Sequence, residues 1–181
     1  MLLAPYTPNW INHFTAIKQI LENGLKGLAI TTEHVGSTAV PHLDAKPIID
    51  IDIVYSEQTS FEDIKAKLVQ LGYYHNGNQG IEDRDVFKRA GNLHHEVLDT
   101  IKHHLYVCPD GSIALERHIL SRNFLQKNDW ARLQYQQMKY ELADQANQDQ
   151  KKYAALKELQ VNSFIDFIIA EEKRSRNLLT K

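Results

Sequence analysis

Asp50 and Asp52 stand two residues apart in the run KPIIDIDIV, which alternates apolar and acidic side chains. That is the period of a β-strand with two unlike faces, so both carboxylates point to one side while Ile49, Ile51 and Ile53 point to the other. Two carboxylates held on one face repel, and burying them unpaired is costly. A divalent cation resolves the conflict; Mg2+ takes one or two carboxylates and completes its shell with phosphate oxygens and water. Taken alone, the pair fits an exposed acidic strand face, or Asp50 pairing to Lys46, better than a metal site, because so short a motif recurs by chance. Upstream lies a second feature. Gly36-Ser37 follows the apolar Val35, and twelve residues separate Ser37 from Asp50. Glycine lets backbone amides approach a ligand, and the serine hydroxyl adds a donor, a combination suited to phosphate oxygens. A phosphate turn beside a metal-binding carboxylate pair is what transfer from a nucleoside triphosphate requires.

Other residues could serve the same chemistry. Arg84 and Lys88 are four apart on an expected edge strand, hence on one face, and could meet an anionic substrate or be ordinary surface charge. Arg117, His118 and Arg122 fall on an expected helix and could close over the site, stay solvated, or pair with Glu116. The nine histidines raise the question of zinc. Neighbouring histidines on a strand face opposite ways, so His94-His95 and His103-His104 can each offer one ligand to a common site. With Cys108 as the single cysteine, a structural zinc site is not expected. His104 serves better as a polar partner of the Asp50/Asp52 pair, or as a hydrogen-bonded sheet histidine.

The elements that must position these groups follow from periodicity and punctuation. After Pro5 and Pro8, Asn9 is placed to cap a helix over 10–23, with Ile11, Phe14, Ile17, Ile20 and Leu21 at helical spacing. A strand is expected over 28–35, a second over the KPIIDIDIV run, and a helix over 60–71 closed by Gly72. Between Tyr73 and Cys108 the short runs YYH, DVFKR, HEVLD and IKHHLYVC read as strands. Beyond Pro109 the character turns helical, over 112–126, 129–146 and 148–174. In the last, Tyr153, Leu156, Phe164, Phe167 and Ile168 make an apolar stripe that should pack inward. No Pro/Gly-rich linker divides the chain, so one domain over 1–181 is expected, an α/β core over 1–109 and a helical extension over 110–181 sharing its core.

A net charge of −2 and a single cysteine narrow the class further. No basic field draws the chain to nucleic acid or an anionic membrane, so neither partner is expected. The lone cysteine suits a reducing compartment, and no run reaches the roughly 18 apolar residues of a spanning helix, so a cytoplasmic protein is expected.

The stretch EHVGSTAVPHLDAKPIIDI, residues 33–51, carries a resemblance. The order apolar-Gly-Ser, a dozen residues, then Asp-apolar-Asp resembles the signature of the nucleotidyltransferase superfamily. The fuller string is similar to the GrpB family. The PYTPNW opening, LGY, the Gly80-Ile81, Arg84 and Phe87-Lys88 run, the HHLYVC strand, and Gly111-Ser112 followed by Arg117, His118 and Arg122 extend the likeness over nearly the whole chain. The resemblance implies an α+β fold with a mixed sheet flanked by helices. It implies Mg2+ (or Mn2+) at Asp50 and Asp52, phosphates on Gly36 and Ser37 with Lys46, Arg84 and Lys88 offsetting charge, and nucleotidyl transfer from a nucleoside triphosphate to an acceptor. A nucleotide- or phosphometabolite-binding module without turnover is the alternative. The sequence departs from the family at three points: His42 stands for a usual glycine, Tyr106 for a frequent histidine, and IKHHLYVC lacks the superfamily's third carboxylate. His103 or His104, or Glu96 and Asp99 on the preceding run, would stand in for it, with His104 the first candidate for a catalytic role.

Overall fold

The computed structural model describes residues 1–179, with side chains described through Arg176. Five strands, β1 (Ile30–Val35), β2 (Ile49–Tyr55), β3 (Tyr73–His75), β4 (Asp85–Arg89) and β5 (His103–Pro109), form one sheet in the order β1-β2-β5-β4-β3. The β2–β5 pair is parallel and the other three pairs are antiparallel. Helices α1 (Asn9–Gly24), α2 (Phe61–Gln70) and the short α3 (Glu96–Thr100) belong to this half. Helices α4 (Ile113–Lys127), α5 (Asp129–Gln145) and α6 (Gln150–Leu179) follow and pack on one another. The fold is α+β, a mixed sheet with helices in both halves of the chain.

The alternation read in β2 separates its two faces. Ile49, Ile51 and Ile53 are buried with Leu105 and Val107 of β5 against Ile17 and Leu21 of α1 and Ile64 and Leu68 of α2. Truncating one such isoleucine to alanine costs about 2–5 kcal/mol, because the lost transfer energy is compounded by the cavity left behind. The opposite face carries Asp50, Asp52, His104 and Tyr106. A second core joins Leu3, Val40 and Leu43 to Phe124, Tyr135, Tyr153, Phe164 and Ile168, so the chain's first residues and the loop after β1 are packed into the helical extension.

Ser60 and Ser112 cap α2 and α4, their hydroxyls accepting from the Glu62 and Leu115 amides. Four expectations are corrected. Asn9 is the first residue of α1 rather than its cap; Pro8 holds that place and Asn9 bonds Asn12 instead. Ile11 and Phe167 face outward, Phe167 against the Trp130 ring. β4 is an inner strand between β5 and β3, not an edge. HEVLD forms α3, not a strand, because the Asp99 carboxylate reaches back to accept from the His95 amide and from Arg89 Nε, closing a helical turn. Glu96 and Asp99 therefore sit away from the Asp50 face.

Candidate functional site

Parallel pairing of β2 with β5 sets Asp50 opposite His104 and Asp52 opposite Tyr106. Paired residues share a face, so all four side chains rise from the same side of the sheet. His104 Nδ1 lies 2.9 Å from Asp50 Oδ1. On the next step along β2, Asp52 is fully buried, and His118 Nδ1, from α4, lies 2.8 Å from its Oδ2. A carboxylate only accepts, so both imidazoles carry a proton on Nδ1, and in the neutral ring the lone pair is then on Nε2. The Tyr106 ring stands between the two histidines, 6.2 Å from His104 and 5.8 Å from His118. Burial pushes its phenol above the usual range.

Each aspartate thus spends one oxygen on a histidine and keeps another. Asp50 Oδ2 presses on Gly36, where a Cβ would come within 2.2 Å of it. Gly36 also has φ +72, a conformation that disfavours a side chain. The turn after β1 is folded against the first carboxylate because residue 36 is glycine. Asp52 Oδ1 is buried without a hydrogen-bond partner. A buried carboxylate oxygen with no donor beside it suits a hard cation, and two carboxylates are enough for Mg2+ where phosphate and water complete the shell. Among the described residues no group of three or more His, Cys, Asp and Glu side chains is arranged to hold a metal by itself.

Beside these groups opens a cavity of about 420 Å3. Gly36, Ser37, Lys46, Asp50 and His104 line its sheet side; Arg117, His118, Ser121 and Arg122 line it from one face of α4. Arg122 fixes that helix by donating to Glu33 and to the His34 carbonyl, at 2.7 and 2.8 Å. Gln126 Nε2 adds a bond to the Ala39 carbonyl. His34 underpins the turn. Its Nε2 lies 3.1 Å from Thr38 Oγ1, which itself donates to the Ile48 carbonyl, and its ring stacks on Phe14. Burial holds the His34 imidazole down to about 4.

The remaining expected site residues are divided. Lys46 lines the cavity, its ammonium 4.8 Å from the Tyr153 ring centre. Arg84 covers the Tyr106 ring at 4.8 Å and lines a second, open groove with Arg117 and Glu158. Lys88 is exposed and lines neither. Glu116 pairs with Lys173, while Arg117 pairs with Asp166. His103 turns to the core and bonds Tyr73. Cys108 is buried, its thiol pushed up to about 12 by that burial, which makes it a poor nucleophile. Three cavity residues gave no signal in sequence: Lys139, Lys157 and Tyr135 lie on helices whose apolar spacing reads as ordinary packing. His118 was visible only as part of the Arg117-His118-Arg122 group, because its partner Asp52 lies 66 positions away.

Helix lengths and hydropathy give no helix among the described residues that could cross a membrane. The chain matches the GrpB protein family over residues 1–168. It is 29% identical over 172 residues to the glutamate-rich protein GrpB of Alkalihalophilus pseudofirmus, covering 94% of this chain and 95% of that one. It is 30% identical over 140 residues to UPF0157 protein YqkA of Bacillus subtilis, covering 77% of this chain and 39% of that longer relative. Among solved structures it is similar to GrpB from Enterococcus faecalis, with TM-score 0.77 and 27% identity over 96% of this chain and 98% of that one. It is also similar in fold to the Cid1 poly(U) polymerase bound to MgATP, with TM-score 0.56 and 10% identity over 77% of this chain and 44% of that one. With a family match that runs from Met1 into α6 and takes in every residue of the Asp50/Asp52 face, this chain belongs to the GrpB family.

Proposed function

We propose that this protein is a Mg2+-dependent nucleotidyltransferase acting from a nucleoside triphosphate on a small-molecule or protein acceptor. The observation that carries the reading is the placement of Asp50 and Asp52 on one strand face, each with an oxygen left over, with Asp50 packed against the Gly36-Ser37 turn at the edge of a cation-lined cavity and Asp52 buried next to it along β2. Mg2+ on those carboxylates would neutralise charge on the triphosphate oxygens. Gly36 and Ser37 would seat the phosphates, and Lys46 and Arg84 would offset their charge. The acceptor oxygen would form a bond to the α-phosphorus as the bond to the bridging oxygen breaks and pyrophosphate leaves. His104 Nε2, free because Nδ1 is engaged by Asp50, would take the acceptor's proton.

A second reading, a nucleotide- or phosphometabolite-binding module without turnover, is favoured by one observation. Opposite Asp50 and Asp52, β5 supplies His104 and Tyr106 rather than a third carboxylate. Pyrophosphate release from the four nucleoside triphosphates, with Mg2+ and a panel of small-molecule and protein acceptors, separates the two. Release that Asp50→Asn abolishes supports transfer. Binding without release, for every donor and acceptor, supports the module.

A further inference from the structure

Three lysines from three segments converge on the cavity, Lys46 from its sheet side and Lys139 and Lys157 from the helical side. Lys46 precedes β2, Lys139 lies on α5 and Lys157 on α6, and all three line the cavity wall. Lys139 is 1% exposed. Its ammonium donates to the Asp44 carbonyl and lies 4.9 Å from the Tyr135 ring centre; Lys157 lies 5.8 Å from the same ring. Among the described residues no ion pair joins any of the three to a carboxylate. The Asp44 carboxylate is spent on the Tyr6 amide and the Tyr140 hydroxyl, and Asp50 is bonded to His104.

Buried charges are ordinarily paired, because an unpaired one keeps its full desolvation penalty. Here the protein gathers three ammoniums, Lys139 buried and Lys46 and Lys157 half-buried, around aromatic faces with no carboxylate in ion-pair contact; Asp50 attracts Lys46 and Lys157, and Asp44 attracts Lys139, only from beyond that range. Two of the three already strain against this. Burial, and then Lys157, hold Lys46 and Lys139 below the usual lysine range, Lys139 well below it. The Tyr135 phenol holds Lys157 above that range, against its burial. A cluster of ammoniums without an ion-pair partner, facing a cavity that the Gly36-Ser37 turn also lines, is a site shaped for a multiply charged anion.

We propose that Lys46, Lys139 and Lys157 form a polyphosphate-binding wall that takes the terminal phosphates of the donor, so that the helical extension contributes anion affinity independent of both metal and base. This rests on the nucleotide reading of the site. It assigns a binding role to Lys139 and Lys157 and to the extension that carries them.

The test is calorimetric titration of the full chain in a chelator, with inorganic tripolyphosphate, ATP and AMP as separate ligands. Tripolyphosphate and ATP are expected to bind, to compete with each other, and to bind much more tightly than AMP. Lys139→Met and Lys157→Met keep the apolar stems and relieve buried charge, so both should fold, which their melting curves check. Each should weaken tripolyphosphate and ATP by roughly tenfold or more, the loss of one charge-assisted contact. Lys151→Met, at an exposed α6 lysine that does not line the cavity, should leave metal-free tripolyphosphate binding unchanged. Unaltered affinity in both lysine variants, AMP binding as tightly as ATP, or ATP and tripolyphosphate binding together would each overturn the proposal. If lysine-dependent tripolyphosphate binding is found while no nucleoside triphosphate yields pyrophosphate, the wall stands and the transfer reading falls. Pyrophosphate release with an unchanged KM in Lys157→Met sinks the wall alone.

Discussion

His118 Nδ1 lies 2.8 Å from Asp52 Oδ2, so a residue of the helical extension holds the fully buried carboxylate of β2. The two halves of the chain meet through this bond at the candidate site itself. The extension is therefore part of the site, not an appendage to it.

Removing that imidazole should be costly. In His118→Ala the Asp52 carboxylate keeps its desolvation penalty and loses its donor, a change worth about 1–3 kcal/mol of stability. Chemical denaturation measures it. Adding Asp52→Asn should recover part of the loss, since the two residues are in contact and their effects should not add. Strict additivity would contradict the pairing.

Gly36→Ala tests the turn. An added Cβ would come within 2.2 Å of Asp50 Oδ2 at a backbone φ of +72, so Asp50 must shift as well as the backbone strain. A comparison is available at Gly27, where φ is +91 but nothing lies within 4 Å. Gly27→Ala should show the cost of backbone conformation alone, about 1 kcal/mol. Gly36→Ala should cost more and should weaken phosphate-ligand binding, which Gly27→Ala should not. Equal stability losses with binding intact in both would show that the turn does not press on Asp50.

Acid sensitivity should begin with His34. The unfolded chain takes a proton on this histidine near 6.5, whereas burial delays protonation of the folded state to about 4. Between those values the unfolded state binds more protons, so stability is full above pH 6.5 and falls as pH drops toward 4, by up to about 3 kcal/mol. Denaturation midpoints measured across that range should show the slope, and His34→Gln should flatten it. A parent protein with pH-independent stability from 6.5 to 4 would contradict the burial of a neutral imidazole.

Much of this arrangement was legible because it is local. The alternation of Asp50 and Asp52 with three isoleucines sets the two faces of β2, and Gly36-Ser37 marks the turn. Local signals failed where distant partners decide. HEVLD is as good a strand as a helix until the Asp99 side chain reaches back to His95. The lysine wall is invisible because Lys139 and Lys157 read as the polar side of ordinary amphipathic helices, and only the packing of α5 on α6 turns them inward. His42 lies between these cases. It adopts φ +64 where the family usually has glycine, so the departure noticed in sequence is a backbone conformation that glycine takes more easily. The third carboxylate absent from β5 remains absent from this face, and His104 occupies the place opposite Asp50.

His104→Ala separates catalysis from tethering. If Nε2 takes the acceptor's proton, transfer should slow by about 10²–10⁴-fold while nucleotide affinity is kept. If His104 only orients Asp50 through Nδ1, affinity and rate should fall together. Steady-state and single-turnover kinetics on the same variant distinguish the two, and unchanged rate and affinity would remove His104 from the site.

The central claim is that Asp50 and Asp52 hold a metal that binds nucleotide. Asp52→Asn preserves the shape of the side chain and can still accept from His118, but it surrenders the charge a cation needs. The decisive measurement is the shift in melting temperature of parent and variant with each nucleoside triphosphate, with and without Mg2+. A Mg2+-dependent increase is expected in the parent and not in a folded Asp52→Asn. Equal Mg2+-dependent shifts in the two proteins would contradict it.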